Sequence, residues 1–313
     1  MTTLSRKTLL KAGTALLLSV VLAPATFAQT SLSLDPNPTD RLHAEKNDAV
    51  AALLPADHKW AKDGVISIAV APWAPPIATY ATDATTVVGF DPDVARLVGE
   101  VLGVPVEIVP VAWADWPLGV ASGKYDAVIS NVGVTEERKE KFDFSTYRLG
   151  LHGFYVKADS PITAITEPKD IAGLKVITGS GTIQEKIILQ WDELNQKEGL
   201  APVEVQYYDD DAAAGLALAS GRADTNFNPN STQAYHAAQT GETKLVGTVS
   251  SGWPLPAEVG ITTVKDSGLA EPFTAAINDL IETGLYAQLL EQWNLGAEGI
   301  EVAKTNPPGL PKP

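Results

Sequence analysis

The sequence predicts an α/β protein of two lobes, each a parallel or mixed sheet with flanking helices, joined by a two-strand hinge. Three observations lead there. Residues 65–128 read as strand, helix, strand, helix, strand with short connections, the order of a parallel sheet covered by helices. The same order returns over residues 175–227. Ala121-Ser122-Gly123-Lys124-Tyr125-Asp126 and Ala219-Ser220-Gly221-Arg222-Ala223-Asp224 share the pattern A-S-G-basic-x-D, each at the close of the second helix of its unit. Residues 150–156 lead from the first unit to the second and residues 246–256 lead back; two crossings permit closure around a ligand.

Each element has its own signal. Residues 65–70 are a continuous apolar, β-branched run, a buried strand. The rigid loop Pro72-Trp73-Ala74-Pro75-Pro76 presents an indole at that strand's carboxyl end. Residues 79–87 are small and polar, a hairpin or loop. Asp91 suits a helix N-cap and Pro92 the first helical position. Val94, Leu97, Val98, Val101 and Leu102 share one helical face, and Gly103 ends it. A strand follows over 104–109, then a helix over 113–122 with Pro117 in its first turn. In the second unit, residues 175–178 are a strand, and 183–196 a helix with Ile187, Ile188, Trp191 and Leu194 on one face. Residues 203–208 form a strand. Asp209-Asp210-Asp211 opens a helix through Ala219 with charges that suit its dipole, and 225–227 is a strand. Residues 258–263 add a strand, and 272–282 and 286–293 two helices. Residues 29–64 form an extension, with short helices over 48–54 and 56–62 broken by Pro55; packing or spacing is expected of it. The Pro-rich end, residues 305–313, is expected to fray.

Composition narrows the function. The chain has 313 residues, room for two domains. Residues 1–28 read as a secretory signal peptide: Arg6, Lys7 and Lys11 precede a short apolar run, and small residues end at Ala28. No cysteine is present, which excludes disulfides, thiolate metal sites, a cysteine nucleophile and a lipid-modified anchor. An exported, unanchored chain of this kind fits the periplasm. Removing the three basic leader residues takes the formal charge from −15 to −18. So acidic a protein makes nucleic acid and anionic membranes poor partners; solubility is the simplest reason for the charge.

The stretch that organises the chain is 125–138, YDAVISNVGVTEER. A buried strand through Ala127-Val128-Ile129 stops at Ser130-Asn131, which supply hydroxyl and amide groups; Gly133 and Arg138 follow. Thr135 is placed to cap a helix. Ligands bind at the carboxyl ends of strands in open α/β sheets. On these residues alone, a strand end with ordinary turn polars and a solvated arginine reads equally well.

The segments GFDPDVARLVGEVLG, SGKYDAVISNVGVTEERKEKFDFS, GSGTIQEK and LASGRADTNF, in that order, resemble the polar amino-acid class of periplasmic solute-binding proteins, family 3, over about residues 65–295. The resemblance implies a periplasmic binding protein fold that closes like a Venus flytrap. Its lobes would be residues 65–150 with 252–300, and 151–251, followed by a tail over 301–313. It implies capture of a small carboxylate-bearing solute, an amino acid or derivative, for an ABC permease in the inner membrane, by a monomer without a cofactor. Arg138 would grip the carboxylate, since a guanidinium fork matches it bidentately. Ser130, Asn131 and Gly133 would add hydrogen bonds, and Thr182 and Ile183 would open a helix with N–H groups for an anion. Trp73 and Trp113 would sandwich the ligand. Core packing competes with that role, more evenly for Trp113 than for Trp73. Trp116 and Trp253 add aromatic surface near the cleft and hinge. Where the family carries an ammonium-binding aspartate in the second lobe, this chain has Asn228-Pro229-Asn230, and Val70 stands where binders of basic amino acids tend to have an aspartate. The expected ligand therefore has a modified or shielded nitrogen or a bulky side chain, with Asn228 and Asn230 beside it.

Other chemistry is weakly signalled. His43, His58, His152 and His236 have no metal-ligand spacing, and a solvated His152 is expected at the hinge. Gly179-Ser180-Gly181-Thr182 lacks the lysine of a nucleotide site. No catalytic or metal residue is assigned. An exported dehydratase of the cyclohexadienyl type, with Glu185 as general acid, and a receptor docking a sensor protein are the alternatives.

Overall fold

The computed structural model describes residues 32–208 and 210–312. The expected leader and Asp209 lie outside the described residues. In chain order the elements are α1 (Asp48–Ala51), β1 (Ile66–Val70), β2 (Thr79–Tyr80), β3 (Val87–Val88), α2 (Phe90–Leu102), β4 (Val106–Pro110), α3 (Trp116–Ala121), β5 (Ala127–Val128), β6 (Phe142–Leu149) and β7 (Leu151–Lys157). Then come β8 (Lys175–Thr178), α4 (Ile183–Lys197), β9 (Glu204–Tyr207), α5 (Asp211–Ala219), β10 (Thr225–Pro229), α6 (Asn230–Thr240), β11 (Thr243–Ser250), β12 (Glu258–Val264), α7 (Ala270–Glu282) and α8 (Leu285–Gln292).

The strands make two five-stranded mixed sheets of like topology, β4-β1-β5-β12-β6 and β9-β8-β10-β7-β11. In each, three strands run parallel and the fourth is antiparallel. The fold is thus a two-lobed α/β structure. The chain passes from β6 through Gly150 into β7, and from β11 back into β12, so each sheet's antiparallel fourth strand arrives from the other lobe.

Parallel strands are buried on both faces, and β1 answers to that. Ile66, Ile68 and Val70 face a cluster with α2, α7 and α8; Ala69 faces a second cluster around Trp116, Tyr125 and Phe144. The extension leans on the first of these through Leu34, Leu42, Val50 and Trp60. Among its described residues, only Asp48–Ala51 is helical. The expected helix over 56–62 does not form, because Ala61 N–H is drawn to the Asp126 carboxylate at 2.8 Å instead of a helical carbonyl.

The repeated hexapeptides have one structural job. Gly123 and Gly221 take φ of +74° and +73°. Each following aspartate then turns its carboxylate onto the strand that opens its own strand–helix unit, β1 or β8: Ser67 N–H donates to Asp126 at 2.7 Å, and Lys175 N–H to Asp224 at 2.8 Å. Their own N–H groups donate back to the Ser67 and Lys175 carbonyls.

Two further expectations need correction, and one helix went unpredicted. Asp91 does not cap α2; the helix starts at Phe90 behind Gly89, and the Asp91 carboxylate turns inward to Asn131 and Tyr147. Residues 228–240 contain a helix, α6, that the sequence hid: its inward side chains, Ser231, Thr232 and Gln233, are polar, so no apolar period exists to read. Within the Pro-rich end, residues 305–312 are not frayed. Leu310 is 1% exposed and hydrogen-bonds Val134 at 3.0 Å.

Candidate ligand site between the lobes

The loop after β5 is held from below. Ser130 Oγ accepts from Ala71 N–H at 2.9 Å. Asn131 sits at φ +51°, donates its N–H to Asp91 at 2.7 Å, and accepts from the Arg148 guanidinium through its side chain. Arg148, 1% exposed, also pairs with Glu298. Burial pushes the Asp91 carboxyl up to about 6, against the Arg148 charge and hydrogen bonds from Tyr147 and Asn131. The side chains of Ser130 and Asn131 are therefore engaged within the first lobe.

Beyond Asn131 the loop meets the other lobe. A Cβ on Gly133 would lie 2.3 Å from the terminal Cδ1 of Ile183, so the loop meets the start of α4 closely here. Thr135 Oγ1 accepts from Arg138 N–H at 2.9 Å and starts the short turn Arg138–Glu140. The Arg138 guanidinium donates to Gly133 O at 2.9 Å and reaches Gly181 O of the second lobe at 3.4 Å. It lies over the Trp113 and Trp116 rings, 5.7 and 5.6 Å from their centroids. Burial pulls its pKa down to about 10, partly opposed by Glu137, so it stays charged. Lys186 of α4 pairs with Glu137 beside it, a further tie across the gap.

The second-lobe wall is built on the ends of β8 and β10. Thr182 caps α4, accepting from Glu185 N–H at 3.1 Å, while Glu185 accepts from Gly181 N–H at 2.6 Å. Glu185 is thus a capping carboxylate. Asn228 donates to Asn226 at 2.6 Å, Asn226 to Gln233 at 3.0 Å, and Asn230 accepts from the Tyr155 hydroxyl at 3.1 Å. Asp211 stands at the start of α5; burial raises its carboxyl's pKa, against the His236 charge and the nearby Gln233 amide and Trp73 indole of the first lobe, which favour the charged form.

The structure thus gathers Arg138, Trp113, Gly133, Gly181, Thr182 and Ile183 at one end of the interlobe gap, and Trp73 against Asp211 at another point of it. Asn228 and Asn230 sit at the end of β10 and the start of α6, bonded to Asn226 and Tyr155 of the second lobe. Trp253 packs edge-on to Trp191 in the second lobe's core, at 5.7 Å. Sequence reasoning gave Asp211 only a dipole role and missed Arg148. It also expected His152 to be solvated, and it is 3% exposed. Neither ring nitrogen has a partner, its ring stands edge-on to Phe227 at 5.6 Å, and burial with the Arg148 charge pushes its pKa down to about 3. Alternation along β7 held the signal: His152 falls on the face of Phe154 and Val156.

Comparison with known proteins agrees with this architecture. The chain is 27% identical to the arginine-binding protein ArgT of Corynebacterium glutamicum over 246 residues, 75% of this chain and 76% of that one. It is 31% identical to the L-cystine-binding protein TcyJ of Escherichia coli over 150 residues, 48% of this chain; the match spans about half of that relative's length, 53%. Among solved structures, an ancestral arginine-binding protein bound to arginine superposes with a TM-score of 0.64 at 28% identity, covering 74% of this chain and 98% of that one. The family profile matches from residue 66 to residue 296, and by that match the chain belongs to the bacterial extracellular solute-binding proteins, family 3.

Proposed function

We propose that this protein captures a small carboxylate-bearing solute, an amino acid or a derivative of one, between its lobes and delivers it to an ABC permease in the inner membrane. It would act as a monomer in the periplasm. The lobes of this reading are residues 65–150 with 252–300, and residues 151–251. The observation that carries it is Arg138: a charged fork set against the Trp113 and Trp116 rings and reaching the second lobe's Gly181 carbonyl. A guanidinium so placed suits a carboxylate bidentately, and charge-assisted bonds are the strong ones in such a site. Names of relatives support the class, since those reported bind L-cystine or arginine. The second-lobe amides Asn226, Asn228 and Gln233 are weaker ammonium partners than a carboxylate, which supports a ligand whose nitrogen is substituted or shielded. Trp73 and Trp113 would flank the ligand's body. Glu185 caps α4 and gives no support to the dehydratase alternative.

Two measurements test the reading. Mass spectrometry of the solute that co-purifies should find a carboxylate-bearing metabolite. Calorimetry with L-arginine, L-glutamine, L-cystine and N-methylated amino acids should find a binder whose affinity falls about 100-fold or more in Arg138→Ala, on ~1.5–3 kcal/mol per lost charged hydrogen bond. Binding that Arg138→Ala leaves unaltered would refute the assignment.

A further inference from the structure

The family match ends at residue 296, yet the chain beyond it is bound along the first lobe. Thr305 bridges Ser145 on β6, the edge strand of its sheet. Asn306 donates its N–H to Phe144 O at 3.0 Å, and its side chain accepts from Phe144 N–H at 2.8 Å and donates to Asp143 at 2.9 Å. After Pro307 and Pro308 the chain runs onto the loop that carries Arg138. Leu310 N–H donates to Val134 O and Glu136 N–H donates to Leu310 O, both at 3.0 Å. Gly309 N–H donates to the Glu136 carboxylate at 3.0 Å, Lys139 Nζ reaches Pro307 O at 3.1 Å, and Lys312 pairs with Glu140. The Leu310 side chain, meanwhile, belongs to the second lobe's apolar cluster with Ile183, Ile187 and Trp191. Its backbone is thus fixed to one lobe and its side chain is seated in the other.

We propose that residues 305–312 form a strap that positions the Arg138 loop and ties it to the second lobe, so that the strap helps set how firmly a ligand carboxylate is held. The proposal rests on the reading of Arg138 given above. The loop 133–138 has no regular ladder of its own; one short turn, Arg138–Glu140, closes it. Neighbouring chain must supply its order, and the strap contributes bonds to Val134, Glu136 and Lys139. A loop ordered before the ligand arrives loses less freedom on binding. Moving the lobes apart would either withdraw Leu310 from its apolar seat or break its two backbone bonds to residues 134 and 136. The strap is therefore a third connection between the lobes beside the two hinge strands.

Gly309 offers a probe outside the residues named as ligand contacts. A Cβ there would lie 2.3 Å from Val134 O and 2.8 Å from Thr135 N, backbone atoms that no side-chain adjustment relieves. Full-length wild type, Gly309→Ala, Leu310→Ala, Leu310→Met and a chain ending at Asn306 are compared by amide hydrogen exchange without ligand. The decisive amides are Arg138 and Lys139, which donate to Thr135 and not to the strap. Gly309→Ala, Leu310→Ala and the shortened chain should accelerate their exchange at least tenfold, and Leu310→Met should restore most of the protection. L-Arginine, L-glutamine and L-cystine serve as binding probes; any that binds wild type should weaken about tenfold through faster dissociation. Unchanged exchange at residues 138 and 139 in the shortened chain overturns the strap, whatever the probes do. Altered exchange with probe binding indifferent to Arg138→Ala keeps the positioning role and instead removes the carboxylate reading.

Discussion

His152 makes the pH dependence of stability a direct test of the hinge structure. Its imidazole is 3% exposed, has no hydrogen-bond partner, and titrates at about 3 when folded against 6.5 as an ordinary side chain. Burial and the Arg148 charge both disfavour the protonated ring. Between about pH 6.5 and 3 the unfolded chain therefore binds a proton that the folded one refuses, and stability falls as pH falls through that window. Full protonation would cost about 5 kcal/mol, taking ~1.4 kcal/mol per unit over about 3.5 units. By pH 5 the loss is ~2 kcal/mol. Asp91 works the other way: its carboxyl, raised to about 6, takes up a proton in the folded state first and returns ~1 kcal/mol of stability between pH 7 and pH 5. Comparing wild type with His152→Phe cancels the Asp91 contribution. Denaturant unfolding at pH 7 and pH 5 should show the variant losing about 2 kcal/mol less than wild type. At pH 7 it should be no less stable, since no hydrogen bond is removed and the ring can pack on Phe227. Identical pH slopes for the two proteins would refute the burial of a neutral, unpartnered imidazole.

Further expectations follow from the same contacts. Asp126→Ala strands two amides, Ser67 and Ala61, that now donate to a buried carboxylate, and should cost about 3 kcal/mol in chemical denaturation. Asp224→Ala, at an exposed position with one such bond, should cost less than half as much, and equal losses would contradict the burial difference. Gly133→Ala meets only the terminal Cδ1 of Ile183, which a side-chain rotation relieves, so its solution scattering radius should match the wild type's; an enlarged radius that Ile183→Val restores would show that the methyl has no room to turn. A solute that engages Arg138 should alter tryptophan emission through Trp113 and Trp116, a change that Trp113→Phe with Trp116→Phe should largely remove.

How far the sequence could be read depended on whether a residue's role was local. The strand at residues 66–70, the apolar stripe of α2 and the glycine that ends it all follow from period and cap, and all stand where expected. The paired hexapeptides were legible as a repeat because a positive-φ glycine followed by a strand-clamping aspartate is a short-range device. Roles set by distant chain were not legible. Asp91 looked like a cap from its neighbours, but its partners, Asn131 and Tyr147, come from 40 and 56 residues away. Helix α6 turns polar residues inward, and the terminal segment owes its order to β6 and the Arg138 loop rather than to its own proline-rich composition.

The hydrogen bonds of the interlobe gap also rank the candidate ligand contacts. Ser130 Oγ, the Asn131 side chain and Thr182 Oγ1 each already serve a neighbour within their own lobe, and the amides of Asn226, Asn228 and Gln233 form a chain among themselves. A ligand would have to share or displace those bonds, and an exchange of one good hydrogen bond for another contributes little net energy. Arg138 differs. A guanidinium carries five N–H donors and two are matched, one to Gly133 O at 2.9 Å and one, long, to Gly181 O at 3.4 Å. Beside the Trp113 and Trp116 rings and largely desolvated, its remaining donors act in a medium of reduced dielectric, where a charge-assisted pair is strengthened. Ligand free energy should therefore concentrate on the carboxylate at Arg138, with the neutral amides opposite sorting ligands by shape and by the hydrogen bonds they can exchange.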